Sequence, residues 1–560
     1  MSVFSTSYEF HKTIESPTEF VRREWKAFAL FGGGFVVALL IAVIAIDPAY
    51  FYSRMATDPL RYYLKGLAFV ETGHTAARSA INVAPFTYVA MPGILRAPFM
   101  AAFQNFDNQL RAIQMSNVVL IATTATLYAY ILTWVIPKNY HRFAIAFSFA
   151  FLLLSPEWLA NVFLPLADAP YSLFTTACIL LVVRLQKLER PLRTQLVVVA
   201  TALVFFGIAF LTRFTAPLLF VYAAVLGAGR VWHRRPARGI IIGAVICAAL
   251  VIAVLVALNW RTLPRYTHDV RSYLALSTRT AMFVNLMVVA LPSQIIPGFR
   301  LAFSFHPIAD TFHVVFASSL KDFAFVAAGM SISAVVFLGM WRARNRLMPE
   351  IVYTLLALPI LAVLMQSTTR YLMAYQPFLW IFFYVGASAL LRPLLARVGG
   401  KRGAFIGVGL LGLAAAAAVA MRASKFVETV SGSQDAVPVA RTGAYVREVV
   451  TTYRSLREFL ERLPRDKTIL ISERPNEGRW KVISGFRYYR PDSALSVAVA
   501  KHDAYLVSEC GTSEVCQQFD SWDGLFRQRF EQYGSFTFEP VFSRITAHAK
   551  ARVYRVRNLQ

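Results

Sequence analysis

The chain has 560 residues, of which 57% are hydrophobic and only 16% charged, and its formal net charge is +26 at pH 7. Its mean hydropathy is +0.51, which excludes an ordinary soluble globular chain, where about half of the residues are apolar. A charge of this size could indicate nucleic acid, but the basic residues fall between apolar runs, so we expect no nucleic-acid partner.

Apolar runs near the length needed to cross a hydrocarbon core of roughly 30 Å recur from Ala27 to Met421 and then stop. They predict a polytopic α-helical membrane protein with about eleven transmembrane helices, forming a domain over residues 1–421. Residues 422–560 are predicted to form a small α/β domain outside the membrane. The predicted spans are 27–46, 113–136, 142–155, 168–186, 195–212, 215–229, 239–258, 319–341, 350–366, 371–391 and 404–421.

Basic residues predict the orientation of these spans. Arg22, Arg23 and Lys26 precede the first span, which places the N-terminus in the cytoplasm by the positive-inside rule. Every second connection repeats this basic signal, and an odd number of spans then places the C-terminal domain outside. We therefore expect a multi-pass protein of the bacterial inner membrane with a periplasmic C-terminal domain.

Two long intervals lie on the predicted outer face, at residues 47–111 and 259–318. Their apolar pieces, Phe86 to Phe103 and Ala281 to Pro297, are interrupted by proline and glycine, which favours helices lying in the membrane interface. A helical hairpin in the second interval would also fit, and it would leave the orientation unchanged.

The first interval contains "TDPLRYYLKGLAFVETGH", in which Asp58 suits a helix N-cap, Pro59 the first helical residue and Gly73 the C-terminal stop. The same face gathers Asp168, Arg213 and Arg370. Capping by Asp168 and snorkelling of the arginines are alternatives, yet ionisable groups at membrane depth are functional candidates by default. Arginines can hold phosphate, and a carboxylate can deprotonate a hydroxyl or hold a divalent ion. A phosphate at a membrane face indicates a lipid phosphate.

Four stretches, taken in order, resemble the GT-C superfamily of polyprenyl-phosphate-sugar-dependent glycosyltransferases, which includes protein O-mannosyltransferases and aminoarabinose transferases. Pro59 stands where many members carry a second acid, which leaves metal dependence open, and Phe214 occupies the usual proline position. The stretches are "DPLRYYLKGLAFVETGH", "LPLADAPYSLFTTACILLVVRL", "GIAFLTRFTAPLLF" and "TTRYLMAYQPFLWIFF".

The resemblance implies an inverting glycosyltransferase with Asp58 as general base, a polyprenyl-phosphate sugar as donor, and a cell-envelope glycan, lipid or protein as acceptor. It implies that Arg213 and Arg370 stabilise the leaving lipid phosphate, and that Asp168 organises the donor phosphate or a metal ion. Asp47 is the rival base. The remaining implied substrate-binding residues are Arg61, Tyr62, His268 and Tyr371; His268, with Asp168, is also a candidate metal ligand, and Glu71 and His74 are weaker candidates.

The C-terminal segment predicts a helix over about Tyr445 to Leu463 and three strands, "KTILISE", "DAYLVSE" and "ARVYRVR". Its predicted role is acceptor recognition or packing over the active face. Cys510 and Cys516 lie close enough for a local disulfide, and two free thiols fit their spacing equally well.

Two other function classes remain open. A transporter or flippase of a lipid-linked or anionic solute would carry inverted repeats and polar residues near the middle of several spans. A ligase or polymerase that uses lipid-diphosphate donors would share the polar outer loops but not the early Asp-Arg-Tyr motif.

Overall fold

The structure is a computed structural model of the full chain. It describes residues 14–55, 57–72, 91–186, 192–213, 215–234, 285–297, 299, 320–364, 369–396, 443–471, 483, 487–489, 495–510, 519–530, 533–546 and 549–559.

Up to residue 396, the regular secondary structure that the structure describes is all helical. The first helix begins at a capping box in which Ser16 and Glu19 satisfy each other's backbone amides, and Pro17 occupies the first turn. The helices are α1 (Pro17–Arg23), α2 (Trp25–Ala45), α3 (Thr57–Thr72), α4 (Met91–Ile94), α5 (Ala97–Ala102), α6 (Phe106–Leu132), α7 (His141–Leu154), α8 (Pro156–Phe163), α9 (Asp168–Gln186), α10 (Leu192–Phe210), α11 (Leu218–Arg234), α12 (Leu291–Ser293), α13 (Leu320–Ala343), α14 (Met348–Leu364) and α15 (Gln376–Ala396).

Shorter helical turns connect several of these helices. Tight 3-10 turns cover Pro48–Arg54, Lys138–Tyr140 and Thr369–Tyr375, and a π-helical segment, Leu286–Ala290, leads directly into α12. A second π-helical segment, Phe28–Gly32, lies within α2.

Six described helices are long and apolar enough to cross a membrane, and α7 with α8 would make a seventh if that pair, bent by 69°, is one span. The predicted count of about eleven is therefore not confirmed. Predicted spans 239–258 and 404–421 lie outside the described residues, whereas 215–229 and 350–366 correspond to α11 and α14, whose apolar parts are shorter. The six are Trp25–Ala45, Phe106–Leu132, Asp168–Leu185, Arg193–Phe210, Val326–Ala343 and Arg370–Leu391.

The chain divides into two compact units, and neither is continuous in sequence. The first comprises Met1–Val37, Val119–Leu159 and Asp168–Ala423, and the second comprises Ala38–Val118, Ala160–Ala167 and Ser424–Gln560. The predicted domain boundary between residues 421 and 422 lies outside the described residues, so it stays a prediction.

The first unit is built from membrane helices whose backbones approach closely. A Cβ atom added to Gly339 of α13 would lie 1.7 Å from the carbonyl oxygen of Phe382, and one added to Gly386 of α15 would lie 2.0 Å from that of Val335. Small residues at such a crossing are a common means of packing helices in lipid, where apolar burial alone drives little association. α13 and α15 therefore form a closely packed pair.

Two exposed tryptophans of the first unit lie beside basic residues. Trp25 at the start of α2 is 5.9 Å from the ammonium of Lys26, and the guanidinium of Arg344 lies 4.1 Å from the Trp341 ring, near the end of α13. Tryptophan and basic side chains together are typical of the membrane–water interface. Both pairs fall on the predicted cytoplasmic side.

The second unit contains the 3-10 helix Pro48–Arg54, α3 and the N-terminal part of α6. Its α3 packs against α4 with nearly touching backbones, because a Cβ on Gly66 would lie 2.8 Å from the carbonyl oxygen of Gly93. The hydroxyl of Tyr63, on α3, also donates to the Gln109 amide oxygen, on α6. These contacts fix the position of α3 within the unit.

The second unit also contains a five-stranded sheet of order β2-β1-β3-β5-β4, in which β1 pairs in parallel with β2 and β3. β5 pairs antiparallel with β3 and β4. The helix and the three strands predicted for this segment are confirmed. The elements are α16 (Gly443–Glu461), β1 (Thr468–Ile471), β2 (Arg487–Tyr489), α17 (Leu495–Lys501), β3 (Asp503–Cys510), α18 (Phe519–Phe530), β4 (Phe536–Ile545) and β5 (Lys550–Asn558).

The structure contains two strands, β2 and β4, that the sequence did not predict. Pro540 lies inside β4 and weakens its strand pattern, but β4 is an edge strand, where a missing amide hydrogen is tolerated. The register shifts between Pro540 and Phe542, as at a β-bulge. By contrast, all four residues of the central β1 are buried, as expected for a strand paired in parallel on both sides.

Candidate functional site

Asp168 begins α9, and the segment before it is held by polar side chains of the second unit. Asn117 donates through its amide to the carbonyl oxygens of Val162 and Leu164, at 3.3 Å each. Arg96, which is buried, donates to the Leu166 carbonyl oxygen at 2.5 Å. The chain therefore enters α9 from a fixed segment, and Asp168 occupies the first turn, where a helix favours a negative charge.

Asp168 forms a buried ion pair with Arg213, which lies in the turn after α10. The guanidinium donates to Asp168 Oδ1, and the two residues are only 2% and 7% exposed. Each charge would be strongly penalised by burial without the other. Pairing therefore offsets part of the cost of burying these two side chains in a largely apolar unit.

Tyr371 links this pair to a second arginine. The guanidinium of Arg213 lies 4.2 Å from the centre of the Tyr371 ring, within the range of a cation–π contact. Arg370 lies 5.2 Å from the same ring and donates weakly to the Tyr371 hydroxyl, at 3.4 Å. We call Asp168, Arg213, Arg370 and Tyr371 the Asp–Arg cluster.

The Asp–Arg cluster carries two guanidinium groups and one carboxylate, so its own charges sum to a positive value. The interaction of these charges with an anion is strong because the surroundings are of low polarity. Asp168 Oδ2, which is buried, has no hydrogen-bond partner among the described residues, so it can accept a hydrogen bond from a ligand. The cluster can therefore bind an anion through its two arginines and a neighbouring hydroxyl group through Asp168.

Two further residues, not singled out by the sequence, support the cluster. Thr215 donates its hydroxyl to the Tyr171 hydroxyl oxygen at 2.8 Å, and both residues are buried. Tyr171 lies three residues after Asp168 on α9, hence on the same helix face. Helical spacing from Asp168 could have identified Tyr171, whereas no local pattern identifies Thr215.

Asp58, Arg61 and Tyr62 all lie on α3, in the second unit. The helix begins at Thr57, two residues before the predicted first helical residue Pro59, so the prediction that Asp58 is the N-cap residue is wrong, and Asp58 lies inside the first turn. Tyr62 is buried. These residues and the Asp–Arg cluster belong to different units, and their joint role stays a prediction.

Asp47, the rival base, is occupied by structural contacts. Its Oδ1 atom accepts the Ala49 amide hydrogen at 2.9 Å and so caps the 3-10 helix Pro48–Arg54. Its Oδ2 atom pairs with Arg454 of α16. With both oxygens engaged, Asp47 is better explained as a cap and ion-pair partner than as a base.

The predicted metal site does not emerge from the residues that the structure describes. No group of three or more histidine, cysteine, aspartate or glutamate side chains suited to a metal ion occurs among them. Asp168 is paired with Arg213 through Oδ1. His268 and His74 lie outside the described residues, and Glu71 lies in the last turn of α3.

No protein-family model matches the sequence, and a search of curated proteins finds no match. Solved structures do match. The archaeal oligosaccharyltransferase AglB from Archaeoglobus fulgidus, in complex with an inhibitory peptide and a dolichol-phosphate, is 10% identical; the match covers 92% of this chain and 73% of that chain, with a TM-score of 0.47.

ArnT from Cupriavidus metallidurans, bound to undecaprenyl phosphate, is 11% identical; the match covers 93% of this chain and 98% of that chain, with a TM-score of 0.48. The Archaeoglobus fulgidus oligosaccharyltransferase in complex with Zn and sulfate is also 11% identical, over 94% of this chain and 73% of that chain, with a TM-score of 0.46. At these identities and TM-scores the matches carry no conclusion about the family or the reaction of this chain.

Proposed function

We propose that this protein is an inverting glycosyltransferase, which moves a sugar from a polyprenyl-phosphate donor to a glycan, lipid or protein acceptor of the cell envelope. The observation that carries the proposal is the Asp–Arg cluster, a buried anion-binding arrangement in a chain rich in membrane helices. The motifs around Asp58, Asp168, Arg213 and Arg370 support the same conclusion.

A lipid phosphate suits the Asp–Arg cluster in both charge and geometry. Arginine presents a planar fork of donors that matches phosphate oxygens, and Asp168 and Tyr371 restrict the orientation of Arg213. In the reaction, the bond between the anomeric carbon and the phosphate oxygen breaks, and its electron pair stays on the phosphate. Arg213 and Arg370 then stabilise the charge that develops there, which is most effective in a site of low polarity.

Asp58 is the proposed general base. As the acceptor hydroxyl oxygen attacks the anomeric carbon, its proton passes to the Asp58 carboxylate, and a single displacement inverts the anomeric configuration. Arg61 and Tyr62, on the same helix, are proposed to contact the substrates. Asp168 orients Arg213, and its Oδ2 atom accepts a hydrogen bond from a hydroxyl group of the sugar donor. A divalent metal ion, for which Asp168 and His268 are the candidate ligands, would add Lewis-acid stabilisation of the donor phosphate.

The proposed location is the bacterial inner membrane, with the N-terminus in the cytoplasm and residues 422–560 in the periplasm as a separate α/β domain. The basic connections support the cytoplasmic side, and the tryptophan–cation pairs at Trp25 and Trp341 fit residues at the membrane–water interface. Cys510 is disulfide-bonded, and disulfides persist in oxidising compartments such as the periplasm.

The test is donor use by the purified chain in lipid vesicles. The vesicles receive a panel of undecaprenyl-phosphate-linked sugars and a cell-envelope fraction as acceptor, and both transferred sugar and released undecaprenyl phosphate are measured. We expect release coupled to transfer, with inverted anomeric configuration in the product. Movement of the intact donor across the bilayer without release would instead indicate a flippase, and use of undecaprenyl-diphosphate donors alone would indicate a ligase or polymerase.

A further inference from the structure

Helix α16 of the C-terminal segment is attached to the 3-10 helix Pro48–Arg54 by a triangle of polar groups within the second unit. Arg457 of α16 donates to Asp107 Oδ2 at 2.9 Å and to the Tyr52 hydroxyl oxygen at 2.5 Å. The Tyr52 hydroxyl donates in turn to Asp107 Oδ1 at 2.5 Å. Each of the three side chains thus contacts the other two, and we call them the Arg457 triangle.

The Arg457 triangle is shielded from water, which increases its contribution to the local structure. The Arg457 side chain is 16% exposed, and it also pairs with Glu461 at 2.7 Å. Burial, followed by the nearby Asp107 charge, raises the pKa of the Tyr52 phenol, so this hydroxyl remains a donor across the physiological range. Arg454, one turn earlier on α16, pairs with Asp47 but is 59% exposed, and exposed pairs contribute little.

A second contact holds the chain shortly after the triangle. Gln109, two residues after Asp107 on α6, accepts the Tyr63 hydroxyl hydrogen. Its amide group donates to the Met100 and Phe103 carbonyl oxygens, at 3.0 and 2.5 Å. Asp58 lies between Tyr52 and Tyr63 in the sequence, so one turn of α6 holds the chain on both sides of it.

From these contacts we propose that Arg457 is a positioning residue for Asp58. Through Tyr52 and Asp107, the C-terminal segment fixes the start of α3 and hence the place of the proposed base. The catalytic part of this inference rests on the proposed function, whereas the structural part does not. A small displacement of a catalytic group is enough to slow a reaction severely, because the reacting atoms must be aligned.

The structural part is tested by hydrogen–deuterium exchange on the full-length protein in lipid nanodiscs. For Arg457→Ala we expect the backbone amides of residues 57–72 to exchange about tenfold faster than in the wild type, as local opening becomes easier. Arg454→Ala is the matched control on the same helix and should leave these amides unchanged. Unchanged exchange in Arg457→Ala, or equal acceleration in both variants, would overturn the proposal.

The catalytic part is tested by kcat and KM with an undecaprenyl-phosphate-linked sugar that the wild type uses. Arg457→Ala should lower kcat about tenfold and leave the donor KM unchanged, since alignment rather than binding is lost. Arg457→Lys should restore part of the rate, and Arg454→Ala should behave as the wild type. A raised KM at normal kcat would contradict a positioning role.

Tyr52→Phe covers the case in which Arg457→Ala does not fold, because it removes one hydroxyl and keeps the ring. It should accelerate exchange over residues 57–72 and lower kcat in the same direction, and wild-type values for both would overturn the proposal. If the wild type uses no donor, the proposed function fails, while the exchange measurement still decides whether Arg457 fixes α3.

Discussion

The Asp–Arg cluster and the Asp58 helix are held in place in different ways. The cluster depends on charge, since Arg213 is buried between a carboxylate and an aromatic ring. By contrast, α3 itself is held by close backbone packing at Gly66 and by the neutral Tyr63–Gln109 hydrogen bond. The charged Arg457 triangle contacts the segment before α3. The proposed roles account for the difference.

A group that stabilises a leaving anion must keep its own charge in a medium of low polarity, so it needs a charged partner nearby. A general base must instead exchange a proton, and a permanent cation beside it would lower its basicity. Neutral contacts can fix such a base without changing its charge. The comparison therefore predicts different losses in the two regions. Substitutions on α3 should slow the chemical step, whereas substitutions in the Asp–Arg cluster should weaken both donor binding and protein stability.

The largest expected effect is that of Asp58→Asn. Asparagine is nearly the same size and is tolerated near a helix start, but it cannot accept the proton. Transfer from the polyprenyl-phosphate sugar should fall about a hundredfold or more, the contribution of a positioned base, at normal expression and thermal stability. Asp47→Asn, measured in the same membranes, is the control and should retain most activity. A fully active Asp58→Asn enzyme would show that the acid on α3 is structural.

The next effect is that of Arg213→Ala, which removes hydrogen-bond donors to the leaving phosphate. We expect kcat/KM for the sugar donor to fall about a hundredfold or more, by analogy with the loss of one hydrogen bond in an oxyanion hole. Undecaprenyl phosphate should also bind more weakly. Arg213→Lys should restore only part, because it lacks the planar fork. Arg370→Ala should act in the same direction. Wild-type turnover with both arginines replaced would mean that they only reach toward the membrane surface.

The third effect is measured on stability instead of turnover, and it also sharpens the comparison. Asp168→Ala leaves the Arg213 charge buried without its carboxylate and should destabilise the protein by about 3–5 kcal/mol, seen as a lower midpoint of thermal unfolding in detergent. Combining it with Arg213→Met should restore much of that stability, although the double variant remains inactive. Additive losses in the double variant would show that the ion pair is not the source of the stability.

The helices and strands that sequence predicted well are those with a strong local pattern. α2 and α9 follow from apolar runs with charged ends, and β1, β3 and β5 from buried or alternating residues between turns. β4 was missed because Pro540 disfavours a strand unless its place at the sheet edge is known. α3 starts at Thr57, two residues before the predicted start at Pro59, because a proline is also compatible with the later positions of a first turn.

The candidate site could be predicted only in part. Asp168, Arg213 and Arg370 stood out because charges are rare beside apolar runs, and the structure brings them together around Tyr371. The contacts of Arg457 with Tyr52 and Asp107 join residues about 350 to 405 positions apart, and no periodic pattern records such a pairing. Their discovery required the fold.

The C-terminal end of α8 explains why α6, an apolar helix, carries buried amide side chains. The last carbonyl oxygens of a helix have no partner within the helix, so a buried helix end needs donors from elsewhere in the protein. Gln114 donates to the Phe163 carbonyl oxygen at 3.0 Å, and Asn117 donates to the carbonyl oxygens of Val162 and Leu164. These two side chains take the place of solvent, so replacing them with leucine would make α6 more apolar yet leave the end of α8 unsatisfied.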